Sequence, residues 1–155
     1  MFRYKIHRIM PPPILGLGTG LAMWLITMGF PEFRLDLPLI RIVGLIIMVL
    51  GLAIDVISIA AFVRARTSLT PLTPEKASQL VVSGLYKYSR NPMYLGLLVL
   101  LTGWGLHLSH PVAFLLLPVF VIYITIFQIK PEEKALQRKF GAAYESYCQK
   151  VRRWI

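Results

Sequence analysis

Two short stretches hold most of the side chains that could do chemistry. The first, Gly84-Leu85-Tyr86-Lys87-Tyr88-Ser89-Arg90-Asn91-Pro92-Met93-Tyr94-Leu95-Gly96, is basic, aromatic and polar, and it opens onto an apolar run beginning at Pro92. Asn91 suits an N-cap, and Pro92 suits the first helical position, where a missing N–H costs nothing. The N–H groups of Met93 and Tyr94 would then face the polar layer before the helix, and such a terminus attracts an anion. The second stretch is Glu132-Glu133, the only adjacent carboxylates in the chain, directly after Pro131. A carboxylate facing an anion-attracting helix start would suit a zwitterion such as an amino-acid headgroup. In the plainer alternatives, Tyr86, Tyr88, Tyr94, Lys87 and Arg90 are interfacial anchors, and the glutamates complement their own helix dipole.

Asp55 is a third candidate. It sits inside an apolar run, nine residues before Arg64, roughly 13 Å away at helical rise. A carboxylate at that depth is costly and should face the bundle interior. Ser58 could hydrogen-bond to it, or it could line a substrate pocket. His107 and His110 have the i, i+3 spacing of a metal pair, but no third ligand is nearby in sequence. No P-loop, dinucleotide glycine motif or nucleophile elbow is present. A lone cysteine, Cys148, excludes an internal disulfide and reads as an inert reduced thiol.

The elements that must position these groups are membrane helices. The chain has 155 residues, 56% hydrophobic and only 15% charged, with a mean hydropathy of +0.64. This points to one all-α, polytopic membrane domain over residues 1–155, with about four transmembrane helices at 13–30, 39–63, 92–108 and 111–129. The third is short, and Ser109-His110-Pro111 turns it tightly into the fourth as a helical hairpin. Pro118 should kink the fourth helix and loosen packing near its cytosolic half. Cytosolic regions are expected at 67–94 and 130–155. The last segment should start at Pro131 as an amphipathic helix with a stripe of Leu136, Phe140, Tyr144, Tyr147 and Val151, with a bend expected at Gly141.

Arg3, Lys5, His7 and Arg8 before the first apolar run resemble a signal-peptide start, but Gly29-Phe30-Pro31-Glu32 is no small-residue cleavage site, so a retained helix is expected. Placing both termini and the 64–91 loop in the cytosol puts fifteen of the seventeen basic residues inside, leaving only Arg34 and Arg41 outside. The net charge of +10 is then topology and attraction to anionic lipid, and no nucleic-acid partner is implied. An inner membrane of a bacterium or archaeon is expected.

Gly84-x-Tyr86, then Arg90-Asn91-Pro92-x-Tyr94-x-Gly96, then Glu132-Glu133-x-x-Leu136, Phe140-Gly141, Tyr144 and Tyr147 resemble the signature of the isoprenylcysteine carboxyl methyltransferase and phospholipid methyltransferase families. The resemblance runs from about residue 67 to the C-terminus, and two coupled motifs are more specific than either alone. It implies an integral membrane methyltransferase using S-adenosyl-L-methionine at the cytosolic face and releasing S-adenosyl-L-homocysteine. Carried over by position, Ser78, Gln79, Leu80, Val81, Tyr86, Asn91, Pro92, Met93, Tyr94 and Glu132, with Glu133 beside it, would bind the cofactor. Tyr94 and Arg90 would act at the reacting groups. Gln128 would meet the substrate, a lipid, prenylated or other lipophilic acceptor; Asp55 lies outside the stretch that carries the resemblance and is a candidate for the substrate pocket by its depth in an apolar run alone. There are two departures: the family often has His where Asn91 stands, and eukaryotic prenylcysteine enzymes have an arginine where Gln128 stands. A carboxylate acceptor needs no base whereas an amine must first lose a proton, and the absence of a well-placed cytosolic histidine mildly favours a carboxylate or thiolate acceptor. Phospholipid or other lipid N-methylation stays open. So do an NADPH-dependent reductase of the sterol-reductase type, a non-enzymatic membrane scaffold, and the oligomeric state.

Overall fold

Proline opens each long helix. In the computed structural model, which describes residues 11–35, 37–65 and 79–155, α1 is Pro12–Gly29, α2 is Pro38–Arg64 and α3 is Pro92–Leu108. Proline at the first position has its φ preset and lacks only an N–H that would have had no helical partner. None of the three starts uses a side-chain cap. Pro111 opens a 3-10 stretch, Pro111–Leu115, which runs into α4, Leu116–Ile124, then a π-wound turn, Thr125–Ile129, then α5, Lys130–Phe140. Helix α6 is Ala142–Lys150, and no strand occurs among the described residues.

Helices α2 and α3 pack backbone to backbone. Gly44 and Gly51 on α2 recur at a seven-residue spacing, as do Gly96 and Gly103 on α3, and the two pairs face each other. A Cβ at Gly51 would lie 2.6 Å from the Leu100 nitrogen, and one at Gly44 would lie 2.6 Å from the Gly103 oxygen. Small residues that let backbones approach are a means of helix association where water supplies no driving force. The other side of α3 carries the core, where Tyr94 and Leu101 pack with Met23, Ala113, Phe120, Ile124 and Ile129.

Three helical stretches, Pro12–Gly29, Pro38–Arg64 and Pro111–Phe140, are long and apolar enough to cross a membrane. Helix α3, with 17 residues, is apolar but shorter. Their outward faces keep large apolar side chains exposed, such as Leu17, Leu39, Val49 and Val119. This is an all-α integral membrane protein. At one end Ser109 takes a left-handed conformation (φ 52°), its carbonyl accepts the Leu35 N–H at 2.8 Å, and His110 Nε2 lies 2.9 Å from the Phe30 carbonyl.

Three local expectations change. Pro118 is the third residue of α4, just after the 3-10 stretch gives way to α-helix, and it lies in the half of the helix nearest the 109–110 turn rather than near its other end. The irregularity near the basic end is the π-wound turn instead. Pro131 explains it: its ring would press on the carbonyl of Phe127, four residues back, and the wider winding relieves that contact. Second, the helix does not restart at Pro131; it continues through it into α5. Third, the expected single amphipathic helix is two, parted at Gly141 with φ 50°. The apolar stripe survives the break, because Tyr144, Tyr147 and Val151 still cluster with Leu136 and Phe140, and Leu80 joins them.

Candidate functional site

The polar stretch before α3 is built around one tyrosine. Gly84, at φ 61°, starts the 3-10 turn Gly84–Lys87, which turns Tyr86 inward to 6% exposure. Its ring meets Phe62 of α2 edge-on at 5.3 Å, and its carbonyl accepts the Tyr147 hydroxyl of α6 at 2.7 Å. Burial first, then the nearby Tyr147, Glu132 and Asp55, hold the Tyr86 hydroxyl well above the usual phenol range. These groups therefore share one electrostatic neighbourhood. Burial likewise raises Tyr147.

The start of α3 is seated on the C-terminal segment. The Arg90 N–H donates to the Arg152 carbonyl at 3.0 Å, and the Asn91 side-chain amide donates to the Arg153 carbonyl at 3.0 Å. Asn91 holds the N-cap position, but its side chain does not cap the helix. Its Nδ2 is turned instead to the Arg153 carbonyl. The first-turn N–H groups of α3 are thus not consumed by that side chain.

The two adjacent glutamates diverge. The Tyr94 hydroxyl donates to Glu132 Oε1 at 2.6 Å, joining positions 38 residues apart. Glu133 instead takes Arg90 Nη2 at 2.8 Å on Oε1 and Arg153 on both oxygens, Nε at 2.9 Å and Nη2 at 2.8 Å. That pairing raises the Arg153 guanidinium above its usual range. Arg90 Nη1 also reaches the Cys148 carbonyl at 3.4 Å. Arg90 and Glu133 are therefore committed to one another, in contrast to the reacting-group and ligand roles that the resemblance implies for them.

The remaining candidates are placed as follows. Ser78 lies outside the described residues. Gln79 is exposed, Leu80 packs on Tyr144, Tyr147 and Val151, and Val81 is buried. Pro92 is buried and Met93 half-buried at the head of α3. Gln128 is 3% exposed, one turn before Glu132, within the π-wound turn. The buried Thr125 hydroxyl in the same turn has no hydrogen-bond partner among the described residues. Asp55 shares a stripe of α2 with Gly51, Ser58 and Phe62, and its carboxylate occupies the space a Cβ on Gly96 would need. Ser58 does not bond to it; its hydroxyl donates to the Ile54 carbonyl at 2.6 Å, as helical serines do when their own backbone is nearer. Asp55 Oδ1 is buried and has no hydrogen-bond partner among the described residues.

Sequence reasoning missed Arg153 as the second partner of Glu133, because Arg152-Arg153 read only as topology-setting charge. It also missed the seam between α2 and α3, although the seven-residue glycine spacings signalled it. The donor set that results is a half-buried carboxylate with a phenol on it, a second phenol nearby, the first-turn N–H groups of α3, and Asp55, whose buried Oδ1 has no hydrogen-bond partner among the described residues. It suits a dipolar, cationic organic molecule.

A family model described as phospholipid methyltransferase matches residues 39–143. An uncharacterized protein of Haemophilus influenzae is 48% identical over 63 residues, covering 41% of this chain and all of that one. A probable protein-S-isoprenylcysteine O-methyltransferase of Oryza sativa subsp. indica is 28% identical over 122 residues, 79% of this chain and 63% of the rice protein. A Delta(14)-sterol reductase of Mus musculus is 40% identical over 80 residues, 47% of this chain and 18% of the mouse protein. The chain thus spans less than two thirds of the length of these plant and mouse relatives. No solved structure matches it. With two thirds of its length under the family model, and with Tyr94 and Glu132 in contact, the chain belongs to the phospholipid methyltransferase family.

Proposed function

We propose that this protein is a single-domain membrane methyltransferase that uses S-adenosylmethionine at the cytosolic face to methylate a lipophilic acceptor. The observation that carries it is the Tyr94–Glu132 hydrogen bond, which unites the two halves of a paired motif in a buried polar neighbourhood shared with Tyr86 and Asp55. The sidedness follows from the distribution of basic residues.

The residues present fit this cofactor. Glu132 would hold its ammonium, since a carboxylate that accepts one phenol keeps lone pairs for further donors. The first-turn N–H groups of α3, at Met93 and Tyr94, would receive its carboxylate. The rings of Tyr86 and Tyr94 supply faces that attract a sulfonium, an effect of about 0.5–2 kcal/mol. Leu80 and Val81 offer an apolar wall. When bound, the cofactor supplies an electrophilic methyl group. The chain's own contribution is then positioning and exclusion of water, the main source of rate for a one-step displacement. Arg90, Glu133 and Arg153 position the start of α3 against α5. Gln128, one turn from Glu132, lines the side from which an acceptor arrives.

Asp55 favours a second reading of the acceptor. A carboxylate whose buried Oδ1 lacks a hydrogen-bond partner among the described residues repels an anionic acceptor and attracts a cationic one. It could also take the proton that an amine must lose. This supports a lipid amine over a carboxylate.

Titration of the purified protein with S-adenosylhomocysteine, and separately with NADPH, tests the proposal. Saturable binding of the first alone supports it. Binding of NADPH alone moves the assignment to a reductase, and binding of neither leaves a non-enzymatic membrane protein.

A further inference from the structure

A separate feature lies where α5 leaves the membrane. Lys130, Lys134 and Arg138 recur every four residues and form one stripe, roughly 12 Å long at helical rise. Together with Arg90 and Arg153 they line a groove of about 620 Å3 in which Glu133 is the only carboxylate among the described residues. Glu132, Tyr94 and Tyr86 do not line it, so it is distinct from the candidate methyl-transfer site.

The charge of Glu133 is already shared between Arg90 and Arg153. Lys130, Lys134 and Arg138 are exposed, and among the described residues none of them has a carboxylate within ion-pairing distance. The groove is therefore positive, and three of its five cations have no carboxylate partner among the described residues. Its position is equally specific. Lys130 follows directly on the buried Ile129, the last residue of the π-wound turn, so the stripe begins where the apolar span stops. A stripe that starts at the end of an apolar span would sit level with lipid phosphates. Side chains of this length can lay their alkyl stems along the groove while their ammonium or guanidinium ends reach phosphate oxygens. A concave, five-cation surface at this depth matches the basic pockets that bind anionic headgroups at a membrane surface.

We propose that this groove binds the phosphate of an anionic membrane lipid. The bound headgroup would set the depth and rotation of α5, and through it the direction in which Glu132 faces. The proposal does not rest on the methyltransferase reading, and its test needs no activity.

Calorimetric titration of the full-length, detergent-solubilised protein would use dihexanoyl phosphatidylglycerol, dihexanoyl phosphatidylcholine and inorganic phosphate. The expected result is phosphatidylglycerol binding at least about tenfold tighter than either of the others, weakened about tenfold or more in K130Q/K134Q/R138Q. K139Q/K150Q/R152Q removes the same number of charges outside the groove and should weaken binding less than about threefold. The altered side chains are exposed, and unchanged helical circular dichroism would check folding. K134Q alone should still weaken binding by about threefold. Equal losses in the two triple variants would reduce the effect to net charge and overturn the proposal. Inorganic phosphate binding as tightly as phosphatidylglycerol would overturn the assignment to a lipid, and an equal affinity for the two lipids would overturn the site.

Discussion

Glu132→Gln is the sharpest perturbation of the proposed cofactor site. The amide keeps an oxygen that can still accept the Tyr94 hydroxyl, now 2.6 Å from Oε1, so the contact between α3 and α5 survives in neutral form. What is lost is the negative charge. A hydrogen bond to a charged partner contributes about 1.5–3 kcal/mol, against about 1 for a neutral pair. The difference of about 0.5–2 kcal/mol is a lower bound, because the carboxylate lies in a partly dehydrated neighbourhood where a lost opposite charge counts for more. Adding the long-range attraction to a sulfonium gives an expected loss of about 2–3 kcal/mol, or about 30- to 150-fold in affinity, for S-adenosylmethionine, against about 0.5–2 kcal/mol, or about 2- to 30-fold, for S-adenosylhomocysteine, which carries no sulfonium. The loss should be greater for the sulfonium cofactor than for the neutral thioether product. Isothermal titration calorimetry with both ligands on purified wild-type and variant protein reads this directly, with thermal denaturation as the folding control. Stability should change little, because the buried amide is easier to desolvate than the carboxylate it replaces. A variant that folds, melts like wild type and binds both ligands with wild-type affinity would refute the role of Glu132.

Other outcomes follow from the same geometry. Glu133→Gln should lower stability by about 2 kcal/mol, less than the full cost of breaking a buried pair because Arg153 is 36% exposed. Arg153→Ala should cost less than Glu133→Gln, since Arg90 keeps its partner; a melting series in detergent checks the order. Gly51→Ala and Gly103→Ala force the α2–α3 seam apart, because each new Cβ would sit 2.6 Å from backbone atoms of the facing helix, and should cost about 1–3 kcal/mol. Gly18→Ala, where a Cβ meets nothing within 4 Å, should be neutral or stabilise by up to about 1 kcal/mol. The Tyr147 phenol is raised by burial from its ordinary 10.0. Its neutral form is what the fold favours, so its contribution is whole below that pH and is lost as pH rises above it. Tyr147→Phe should therefore shrink the 295 nm absorbance step that accompanies alkaline unfolding. A loss confined to the rise before unfolding would show the phenol ionising in the folded protein.

The fold was legible where local chemistry sets it. Asn91-Pro92 and Ser109-His110-Pro111 mark both ends of α3, and the structure puts that helix at Pro92–Leu108. Long apolar runs, at 13–30 and 39–63, located α1 and α2 to within a residue. What the sequence hid depends on partners far along the chain. Asn91 looked like a cap, but a carbonyl 62 residues away takes its amide. Glu132 and Glu133 looked like a pair, but their helical positions send one to a phenol and the other to two arginines. The π-wound turn follows from Pro131 lying inside a continuous helix, whereas composition suggested a fresh start there. The proximity of Tyr94 and Glu132 came from the paired motif; no periodicity links residues on different helices.

The most direct measurement is transfer of isotope-labelled methyl from S-adenosylmethionine into an extract of membrane lipids by the purified wild-type protein, with Glu132→Gln in parallel. The account predicts a labelled lipid product that depends on the wild-type protein and falls sharply in the variant. An unlabelled extract from protein that is folded and saturated with its cofactor would contradict transfer to a membrane lipid, and equal labelling by the two proteins would contradict the site.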